Sequence, residues 1–518
     1  MEGVASIALN KRLFVRILAR QQEEAGGGGG FMSRNLGGDE RDAIALAMAR
    51  IVGGEHVLTD EAARRDYAHD RLPYANFCAR EGRLAGVLPR LVVRPGTRAE
   101  LAEIVKFAFE NKVQIIPFGN GSGVLGGAIP ISREMTIDLR RLDRILSFDA
   151  EDAMVTVEAG MNGAAFEQAL NEKGYTCGHY PQSMEISTVG GWVACRGGGQ
   201  ASSRYGKIED IVIGLSAVMP DGSPLMVRPV PRRAAGPSVA DILIGGEGGF
   251  GIVDTVTLRI YRKPEVERGV TLAFPTLAAA LDCAREIMQA EIRPQIARIY
   301  DEAESSERME GLSGFDDHPI LAIYAFCGQA PLAGAEEELA LAIARRHGAI
   351  IADNEPYRHW KKNRFFVYSQ VWQAKGYYND TIEIAARWSV LPSLYEAIRA
   401  KVKEIYPSTY FGAHWSHIYP EGACQYMTMR LPPMPSDEAM RIHARLWDCA
   451  ETLALDYGGT ISHHHGVGIF RNAWLERELG GGLKLLQSLK AAIDPDNLMN
   501  PGKVGMKAPD GAVSVPHG

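Results

Sequence analysis

The chain has 518 residues, more than one compact core accommodates, so two to four domains are expected. With 46% apolar and 23% charged residues, the composition is globular and excludes collagen-like, disulfide-scaffolded and broadly disordered proteins. The 56 basic and 63 acidic residues give a net charge of −7, which argues against a nucleic-acid partner because such proteins usually carry a basic face.

The N-terminal stretch differs from the rest of the chain. Residues 9–20 form a short basic amphipathic segment without the apolar region of a secretory signal, and five glycines follow at 26–30. We expect residues 1–38 to be a flexible extension, with translation starting at Met32. Binding of the amphipathic segment to a membrane surface is the alternative. No apolar run approaches the roughly 18–20 residues that span a bilayer.

Seven cysteines are scattered along the chain without a Cys-x-x-Cys pair. An odd, dispersed set is typical of a reducing compartment and argues against a disulfide framework or a cysteine-based structural zinc site. We therefore predict a cytoplasmic location.

Two α+β domains are predicted in chain order after a charged helical region at 39–86. Between residues 87 and 265, short strands alternate with Gly and Pro punctuation and with an amphipathic helix at 99–111. The predicted strands of this first domain are 91–94, 114–118, 135–139, 154–157, 211–219 and 253–260. Over residues 266–457, helices at 276–290 and 335–347 alternate with strands such as 320–326, which predicts a second domain. Residues 458–518 contain a histidine run and one long helix that ends at Asp494-Pro495.

Glycine-rich segments of the first domain are the first sign of chemistry. One follows a predicted strand at 117–123, and others lie at 181–192, 196–206 and 245–252. Glycine lets backbone N–H groups approach a diphosphate closely, because no Cβ intervenes. The first segment does not open into a helix, which argues against a nicotinamide-binding fingerprint. Together the segments favour an extended ligand with a diphosphate and a flat ring; tight turns in a glycine-rich sheet are the alternative.

Three phrases carry a family resemblance: GHYPQSMEISTVGGWVACR, YGKIEDIV and ISHHHGVG. Over roughly residues 60–505 the chain resembles the vanillyl-alcohol oxidase superfamily, and within it the phrases are most similar to the alkylglycerone-phosphate synthases, flavoenzymes that make ether lipids. The resemblance implies the α+β fold class, with a PCMH-type FAD-binding domain over 87–265. It also implies an α+β substrate-binding cap domain over 266–457 and a C-terminal helical segment over 458–518.

The resemblance also implies that FAD is held mainly by main-chain donors of four segments. The FAD diphosphate is expected at Phe118, Gly119, Asn120, Gly121, Ser122, Gly123 and Val124. The diphosphate and flavin are expected along Pro181, Gln182, Ser183, Met184, Glu185, Ile186 and Ser187, and along Ala194, Cys195, Arg196 and Gly197. The adenine end is expected at Glu247, Gly248, Gly249, Phe250, Gly251, Ile252 and Val253. Ser122 stands where some relatives have a tethering histidine, so we expect noncovalent FAD; a histidine of the second domain is the alternative tether.

The run His463, His464 and His465 reads as a strand, which would place His463 and His465 on one face and His464 on the other. No carboxylate or cysteine flanks the run, and adjacent side chains of a strand cannot all reach one ion. The resemblance implies a catalytic or flavin-adjacent role, because the synthases carry the same triple histidine close to the flavin. A metal site and a structural role are the alternatives.

Residues 413–429 help to choose among relatives. By the resemblance, 2-hydroxyacid dehydrogenases have a metal-binding histidine pair here and a glutamate at the position of His464. Since His417, Tyr426 and His464 do not reproduce that triad, we expect no metal. In the synthases a tyrosine at the position of Tyr426 transfers the proton. A phenol is suited to this if a neighbour lowers its pKa from about 10; an ordinary half-buried tyrosine is the alternative.

Arg298 lies in a segment similar to one that carries an activity-critical arginine in the synthases. It would bind an anionic substrate group or be held by Asp301. A second substrate-binding arginine of the synthases has no counterpart in residues 365–378, and neither Arg364 nor Arg387 clearly fills its position. The phosphate-bearing substrate is therefore in doubt.

The sequence thus predicts an FAD-dependent enzyme whose pocket lies between the flavin domain and the cap. The leading hypothesis is an oxidoreductase that transfers a hydride from a carbon next to oxygen of a small organic substrate to flavin N5. The alternatives are an alkylglycerone-phosphate synthase that exchanges an acyl for an alkoxy group, a 2-hydroxyacid dehydrogenase and a non-catalytic flavin-binding protein. We expect a small-molecule substrate, no nucleic acid and no transmembrane segment; a homodimer and a peripheral membrane contact stay open.

Overall fold

The computed structural model describes residues 36–312, 315, 317–366 and 369–515. The predicted amphipathic segment at 9–20, the glycine run and Met32 lie outside these residues. The helices are α1 (Leu36–Val52), α2 (Glu61–Arg65), α3 (Pro73–Arg80), α4 (Arg98–Asn111), α5 (Gly163–Glu172), α6 (Val189–Ala194), α7 (Ser202–Tyr205), α8 (Ile208–Ile211), α9 (Ala240–Leu243), α10 (Leu277–Gln289), α11 (Glu302–Met309), α12 (Ala330–Arg346), α13 (Glu355–Asn363), α14 (Ser369–Ala374), α15 (Leu391–Ile405), α16 (Ser436–Asp456), α17 (Asn472–Leu479) and α18 (Gly481–Ile493). Across these ranges, no helix combines the length and the apolar character that crossing a membrane would require.

The strands are β1 (Val57–Leu58), β2 (Val92–Val93), β3 (Ile115–Phe118), β4 (Met135–Asp138), β5 (Ile145–Asp149), β6 (Met154–Glu158), β7 (Tyr175–Thr176), β8 (Val212–Val218), β9 (Pro224–Val227), β10 (Ile252–Arg259), β11 (Tyr261–Arg262), β12 (Val266–Phe274), β13 (Ile296–Tyr300), β14 (Ile320–Gly328), β15 (Ile350–Ile351), β16 (Tyr378–Arg387), β17 (Tyr410–Ile418) and β18 (Gly422–Leu431). Every strand predicted in the first domain has a counterpart here, and so has the predicted strand at 320–326.

Two sheets build the half of the molecule that the sequence predicts to bind FAD, which we call the FAD-binding side. One has the order β1-β2-β4-β3, in which β2, β4 and β3 run parallel. The crossover from β2 to β3 is helix α4, which Thr97 caps by accepting the N–H of Glu100 and which buries Leu101 and Ile104 in the core. The other sheet is antiparallel, in the order β5-β6-β10-β8-β9.

The cap is built on a seven-stranded antiparallel sheet in the order β15-β12-β14-β13-β17-β18-β16. Helices α10, α12, α15 and α16 pack on one face and form the largest apolar core with it. Because side chains alternate along a strand, β18 buries Met427 and Met429 in that core and turns Tyr426 and Thr428 to the opposite face. That opposite, more polar face meets the FAD-binding side, as the hydrogen bond from the Ile418 N–H to Ser203 Oγ shows.

The C-terminal segment returns to the FAD-binding side. The buried Lys490 Nζ donates to the carbonyl of Gly249 at 2.6 Å, and Met499 bridges to Ile115. The prediction of one long helix here is wrong, because Gly480, with φ +51°, ends α17 and redirects the chain into α18.

The N-terminal region joins both halves, since β1 pairs with β2 while Phe77 packs edge-on against Tyr378 of the cap. The domain boundaries at 38, 86, 265 and 457 stay predictions.

Candidate active site

The loop after β3 presents a run of backbone donors. The N–H groups of residues 119–124 donate no hydrogen bond to another residue that the structure describes. Gly121 has φ +60°, and a Cβ on Gly119 would lie 2.5 Å from Thr188 Oγ1, so both positions require glycine. The loop is fixed by Asn120, whose Nδ2 donates to the Ile186 carbonyl at 2.9 Å. A fixed, partly buried loop with a free donor row suits a diphosphate, so these residues fit the predicted FAD.

The second predicted cofactor segment brings the loop into contact with the histidines. Helix α6 starts at the Thr188 cap, and the segment turns at Arg196, whose φ is +55°. A Cβ on the adjacent Gly198 would lie 3.0 Å from the Cβ of His464 and 3.6 Å from Cε1 of His417. The segment predicted to run along the flavin therefore lies directly against residues from the cap side.

Residues 463–465 do not form a strand. They are a sequence of bends that follows an isolated bridge between Thr460 and Ala385. The N–H groups of His463 and His465 donate to the Glu383 carboxylate at 2.6 and 3.0 Å, and the His464 N–H lies 3.4 Å from it. Successive N–H groups of a strand point to opposite edges. Convergence on one carboxylate makes the strand prediction wrong, and with it the placement of alternate histidines on opposite faces.

Two carboxylates, the buried Glu383 and the partly buried Glu247, hold this histidine loop, which we define as residues 462–468. Glu383, on cap strand β16, also accepts from Ser462 Oγ and pairs with the fully buried Arg471 at 3.0 Å. Burial alone would raise the pKa of Glu383, but Arg471 and the neighbouring histidines outweigh it and lower the pKa to about 2. The loop is therefore held by a charged acceptor at neutral pH.

The second carboxylate comes from the FAD-binding side. Glu247 accepts the N–H of Val467 at 2.7 Å and that of Gly468 at 3.0 Å, so its side chain lies beside the histidine loop. The predicted adenine contact of residues 247–253 relies on their main chain and stays a prediction. Within that segment, the Phe250 side chain belongs to the apolar core.

Tyr426 lies on the polar face of the cap sheet. Its hydroxyl donates to Thr381 Oγ1 at 3.1 Å, and its ring stacks on His414 with centroids 4.9 Å apart. The His465 ring approaches it edge-on at 5.5 Å. Burial raises the pKa of Tyr426 above its usual value, and no described group of the protein reverses that shift. Tyr426 is thus a neutral hydrogen-bond donor in this arrangement, not the acidified phenol that the sequence allowed for.

Arg298 is not held by Asp301. Its Nε donates to Tyr300 Oη at 3.1 Å, and its guanidinium lies 5.8 Å from the centroid of the Trp360 ring. Asp301 instead caps α11 and accepts from Tyr395 Oη at 2.9 Å. Among the ion pairs of the described ranges, none involves Arg298. Its charge is therefore available to an anionic ligand.

A second arginine occupies the region where the synthase arginine has no sequence counterpart. Arg430, on β18, lies with its guanidinium 3.9 Å from the centroid of Trp372 in α14 and pairs with Glu307. The two arginines weighed from the sequence lie elsewhere, with Arg364 over the ring of Tyr180 at 4.9 Å. Arg387 ends β16. The sequence analysis missed Arg430 because only strand pairing brings it next to α14.

His414 and His417 were also missed as site residues. They lie three residues apart on β17, which would place them on opposite faces of a regular strand. A bulge between Ser416 and Ile418, with φ +53° at His417, turns both rings to the polar face. Their spacing on a strand was the available signal, but nothing in the sequence marks the bulge. Burial lowers the pKa of His417 well below 6.5 and that of His414 to about 4, so both rings are neutral at pH 7.

The fold surrounds the histidine run with groups that the sequence does not place beside it. Donor atoms of Glu383, Cys424, His463 and His464 lie within 4.8 Å of one another. The Glu383 oxygens already accept from N–H groups and from Arg471, and burial raises the pKa of the Cys424 thiol well above 9. These groups thus have roles within the protein, and the expectation of no metal stays a prediction.

Comparison with known protein families matches both halves of the chain. Residues 89–227 match the FAD binding domain, and residues 263–504 match the C-terminal domain of FAD linked oxidases. An uncharacterized FAD-linked oxidoreductase of Escherichia coli, YgcU, is 31% identical over 482 residues, which cover 90% of this chain and 98% of that protein. An alkyldihydroxyacetonephosphate synthase of Caenorhabditis elegans is 28% identical over 455 residues, which cover 81% of this chain and 76% of that protein.

Among solved structures, p-cresol methylhydroxylase with substrate bound superposes with a TM-score of 0.74 at 15% identity, covering 90% of this chain and 97% of that one. This likeness shows that the two share a fold, and the PCMH-type architecture expected from the sequence is confirmed.

Proposed function

Because the chain belongs to the family of FAD-linked oxidoreductases, with FAD as its cofactor, we propose that it removes a hydride from a carbon next to oxygen in a small organic substrate. When bound, FAD supplies the two-electron acceptor for that hydride. The observation that carries the proposal is the position of His417 and His464 beside Gly198, where they fill the space that a Cβ would take. It sets neutral imidazoles of the cap side against the segment predicted to run along the flavin.

The protein's own residues supply what such an oxidation needs besides the electron acceptor. Loss of a hydride from an alcohol carbon leaves a proton on oxygen that a base must take. A neutral imidazole is such a base at pH 7, and His464 presents one. Tyr426 keeps its proton and donates a hydrogen bond, so it suits the orientation of the substrate oxygen. We therefore propose His464 as the base and Tyr426 as the orienting donor, with His463 and His465 completing the site.

The charge of the cleft favours a substrate with an anionic group. Arg298 makes no ion pair with a described carboxylate, while the nearby Glu304 is engaged by Arg308 at 3.0 Å and by His414 at 3.1 Å. A guanidinium without a carboxylate partner is suited to a carboxylate or phosphate of the substrate. We propose Arg298 for this role.

An alkylglycerone-phosphate synthase activity is the second candidate. Arg430 beside Trp372 favours it, because a second arginine lies where the sequence alone offered none. The triple histidine together with Tyr426 is the pattern that resembles the synthases. Such an enzyme would exchange an acyl for an alkoxy group without net oxidation.

Two finer points belong to the proposal. FAD is bound noncovalently, since Ser122 occupies the position of the tethering histidine. The enzyme acts in the cytoplasm, which is supported by its seven cysteines, all of them free thiols.

Anaerobic mixing of the FAD-loaded, full-length protein with a panel of compounds tests the proposal. The panel contains alcohols, phenols, 2-hydroxy acids, and an acyl dihydroxyacetone phosphate with a fatty alcohol. Bleaching of the flavin by one compound, with stoichiometric formation of the carbonyl product, is expected. Turnover of the acylated compound to an ether without lasting bleaching would overturn the oxidoreductase in favour of the synthase. Failure of the whole panel in both assays would refute both candidates.

A further inference from the structure

Five side chains form one continuous chain of hydrogen bonds along the histidine loop. His464 Nδ1 lies 3.0 Å from His463 Nδ1, and His463 Nε2 lies 2.9 Å from Tyr419 Oη. Tyr419 Oη lies 3.3 Å from Ser202 Oγ, and Ser202 Oγ lies 2.7 Å from His417 Nδ1. The ring centroids of His417 and His464 are 4.8 Å apart, so the two ends of the chain meet.

One bond fixes the direction of the bonds from Tyr419 to His463 and from His463 to His464. The Tyr419 hydroxyl donates to Ser202 Oγ, which uses its single proton. Tyr419 must then accept from Nε2–H of His463, while Ser202 keeps its own proton and can donate it to Nδ1 of His417. Nδ1 of His463 is left as an acceptor for Nδ1–H of His464. The Glu383 carboxylate, 3.6 Å from His464 Nδ1, favours a proton on that nitrogen.

This polarity leaves two different free ends. His464 has an unprotonated Nε2, whereas His417 has a protonated Nε2, and neither atom has a hydrogen-bond partner in the described parts of the chain. A Cβ added at Gly198 would lie 3.0 Å from Cβ and 3.3 Å from Cγ of His464, and 3.6 Å from Cε1 of His417. His417 faces the segment predicted to run along the flavin with Cε1, next to its Nε2, whereas His464 faces it with Cβ and Cγ, the end of the side chain opposite its Nε2.

We propose that these residues are a proton relay that connects an accepting nitrogen, His464 Nε2, with a donating nitrogen, His417 Nε2. The relay rests on the proposed function, since it handles the proton that a substrate hydroxyl loses as its carbon gives up a hydride. His464 Nε2 takes that proton, and the protons on His464 Nδ1, His463 Nε2, Tyr419 Oη and Ser202 Oγ each move one bond along the chain. His417 Nε2 releases a proton to water in the cleft. One proton enters, one leaves, and no residue changes its charge.

The protons of the relay should move together, because moving them one at a time would create a charged tyrosinate or imidazolium inside the protein. Burial raises the pKa of Tyr419 and, helped by the positive charge of Lys207, lowers that of His463 to about 3. A tyrosinate or a lone imidazolium in the chain is therefore unstable. Lys207 Nζ donates to the His463 carbonyl, which fixes that ring relative to Tyr419. Ser202 and Tyr419 would then act through the histidines as positioning and relay residues.

Histidine ¹⁵N NMR of the holoenzyme tests the connectivity without any substrate. We expect His417 and His463 to be protonated at Nε2 and His464 at Nδ1. Tyr419→Phe removes only the hydroxyl and should shift the nitrogen signals of both His463 and His417. The matched control is Tyr378→Phe, which removes a hydroxyl bonded to Ser436 at 2.8 Å in the cap and should shift neither signal. Unchanged His417 signals in Tyr419→Phe would overturn the relay.

A kinetic arm measures the same relay at work. With a panel compound that bleaches the flavin, Tyr419→Phe and Ser202→Ala should each slow bleaching by about 10²-fold or more and leave FAD bound. The bleaching rate would also be measured in mixtures of light and heavy water. Its dependence on the deuterium fraction should indicate several protons moving together in the wild type and a single moving proton in Tyr419→Phe. If both variants bleached the flavin at the wild-type rate, the relay would be contradicted. Ser202→Ala keeps the test valid if Tyr419→Phe does not fold. If no compound bleaches the flavin, the proposed function fails, while the NMR result still decides whether the chain is connected.

Discussion

Replacing Glu383 by glutamine tests whether one buried carboxylate organises the histidine loop. Glu383 is fully buried and accepts from Ser462 Oγ and the N–H groups of His463 and His465, besides pairing with Arg471. Glutamine keeps the size of the side chain but removes the charge and turns an NH₂ group towards other donors. Leaving a buried arginine without its partner costs about 3–5 kcal/mol. Arg471 keeps its contact with Glu451 at 2.8 Å, which favours the lower end of that range.

Thermal unfolding of the holoenzyme measures this loss. For a chain of 518 residues, Tm shifts by about 1 °C per kcal/mol, so Glu383→Gln should lower Tm by roughly 3–5 °C. The matched control is Glu61→Gln, which breaks an exposed pair with Arg65 and should cost at most about 1 kcal/mol. Because folding lowers the pKa of Glu383 from 4.5 to about 2, its stabilisation is present above pH 4.5 and is lost as the pH falls towards 2. The difference in Tm between the wild type and Glu383→Gln should therefore become smaller as the pH falls from 4.5 towards 2. A Tm at pH 7 equal to that of the control would refute the reasoning.

Four further outcomes are expected. Acid precipitation should leave a colourless polypeptide and free FAD in solution; a yellow pellet would show a covalent bond. EDTA should leave activity unchanged, and a stoichiometric metal lost together with activity would contradict this. Tyr426→Phe deletes only the hydroxyl that would orient the substrate oxygen, so turnover should fall by about 10²-fold or more with FAD retained, and near-normal turnover would make Tyr426 a packing residue. Arg298→Met should raise KM for anionic substrates but not for neutral ones, whereas Arg358→Met, at an exposed pair with Asp353, should change neither.

The parts of the fold that the sequence predicts well are those governed by local patterns. The helix at 99–111 has its apolar spacing and its Thr97 cap within one segment, and the loop at 119–124 has glycines where the backbone requires them. The histidine run shows the limit of such patterns. The prediction that this run is a strand is wrong because its N–H groups donate to the carboxylate of Glu383, which is far away in the sequence, instead of to a neighbouring strand. The bulge at His417 likewise depends on pairing with β18, which no local signal encodes.

The same limit explains the arginines of the cleft. Arg298 was found because its own segment is recognisable, whereas Arg430 reaches Trp372 only through the pairing of β18 with β16 and β17. The family resemblance of the motifs therefore predicted the cofactor and the fold, while the partners of each side chain required the tertiary structure.

The deuterium isotope effect on anaerobic flavin bleaching tests the central claim most directly. A panel compound that bleaches the flavin would be compared with the same compound carrying deuterium on the carbon next to oxygen. If the enzyme removes a hydride from that carbon, deuteration there should slow bleaching severalfold, and deuteration at a neighbouring carbon should leave the rate unchanged. Equal rates for both labelled compounds, or an acyl-to-ether exchange without bleaching, would contradict hydride removal as the reaction of this site.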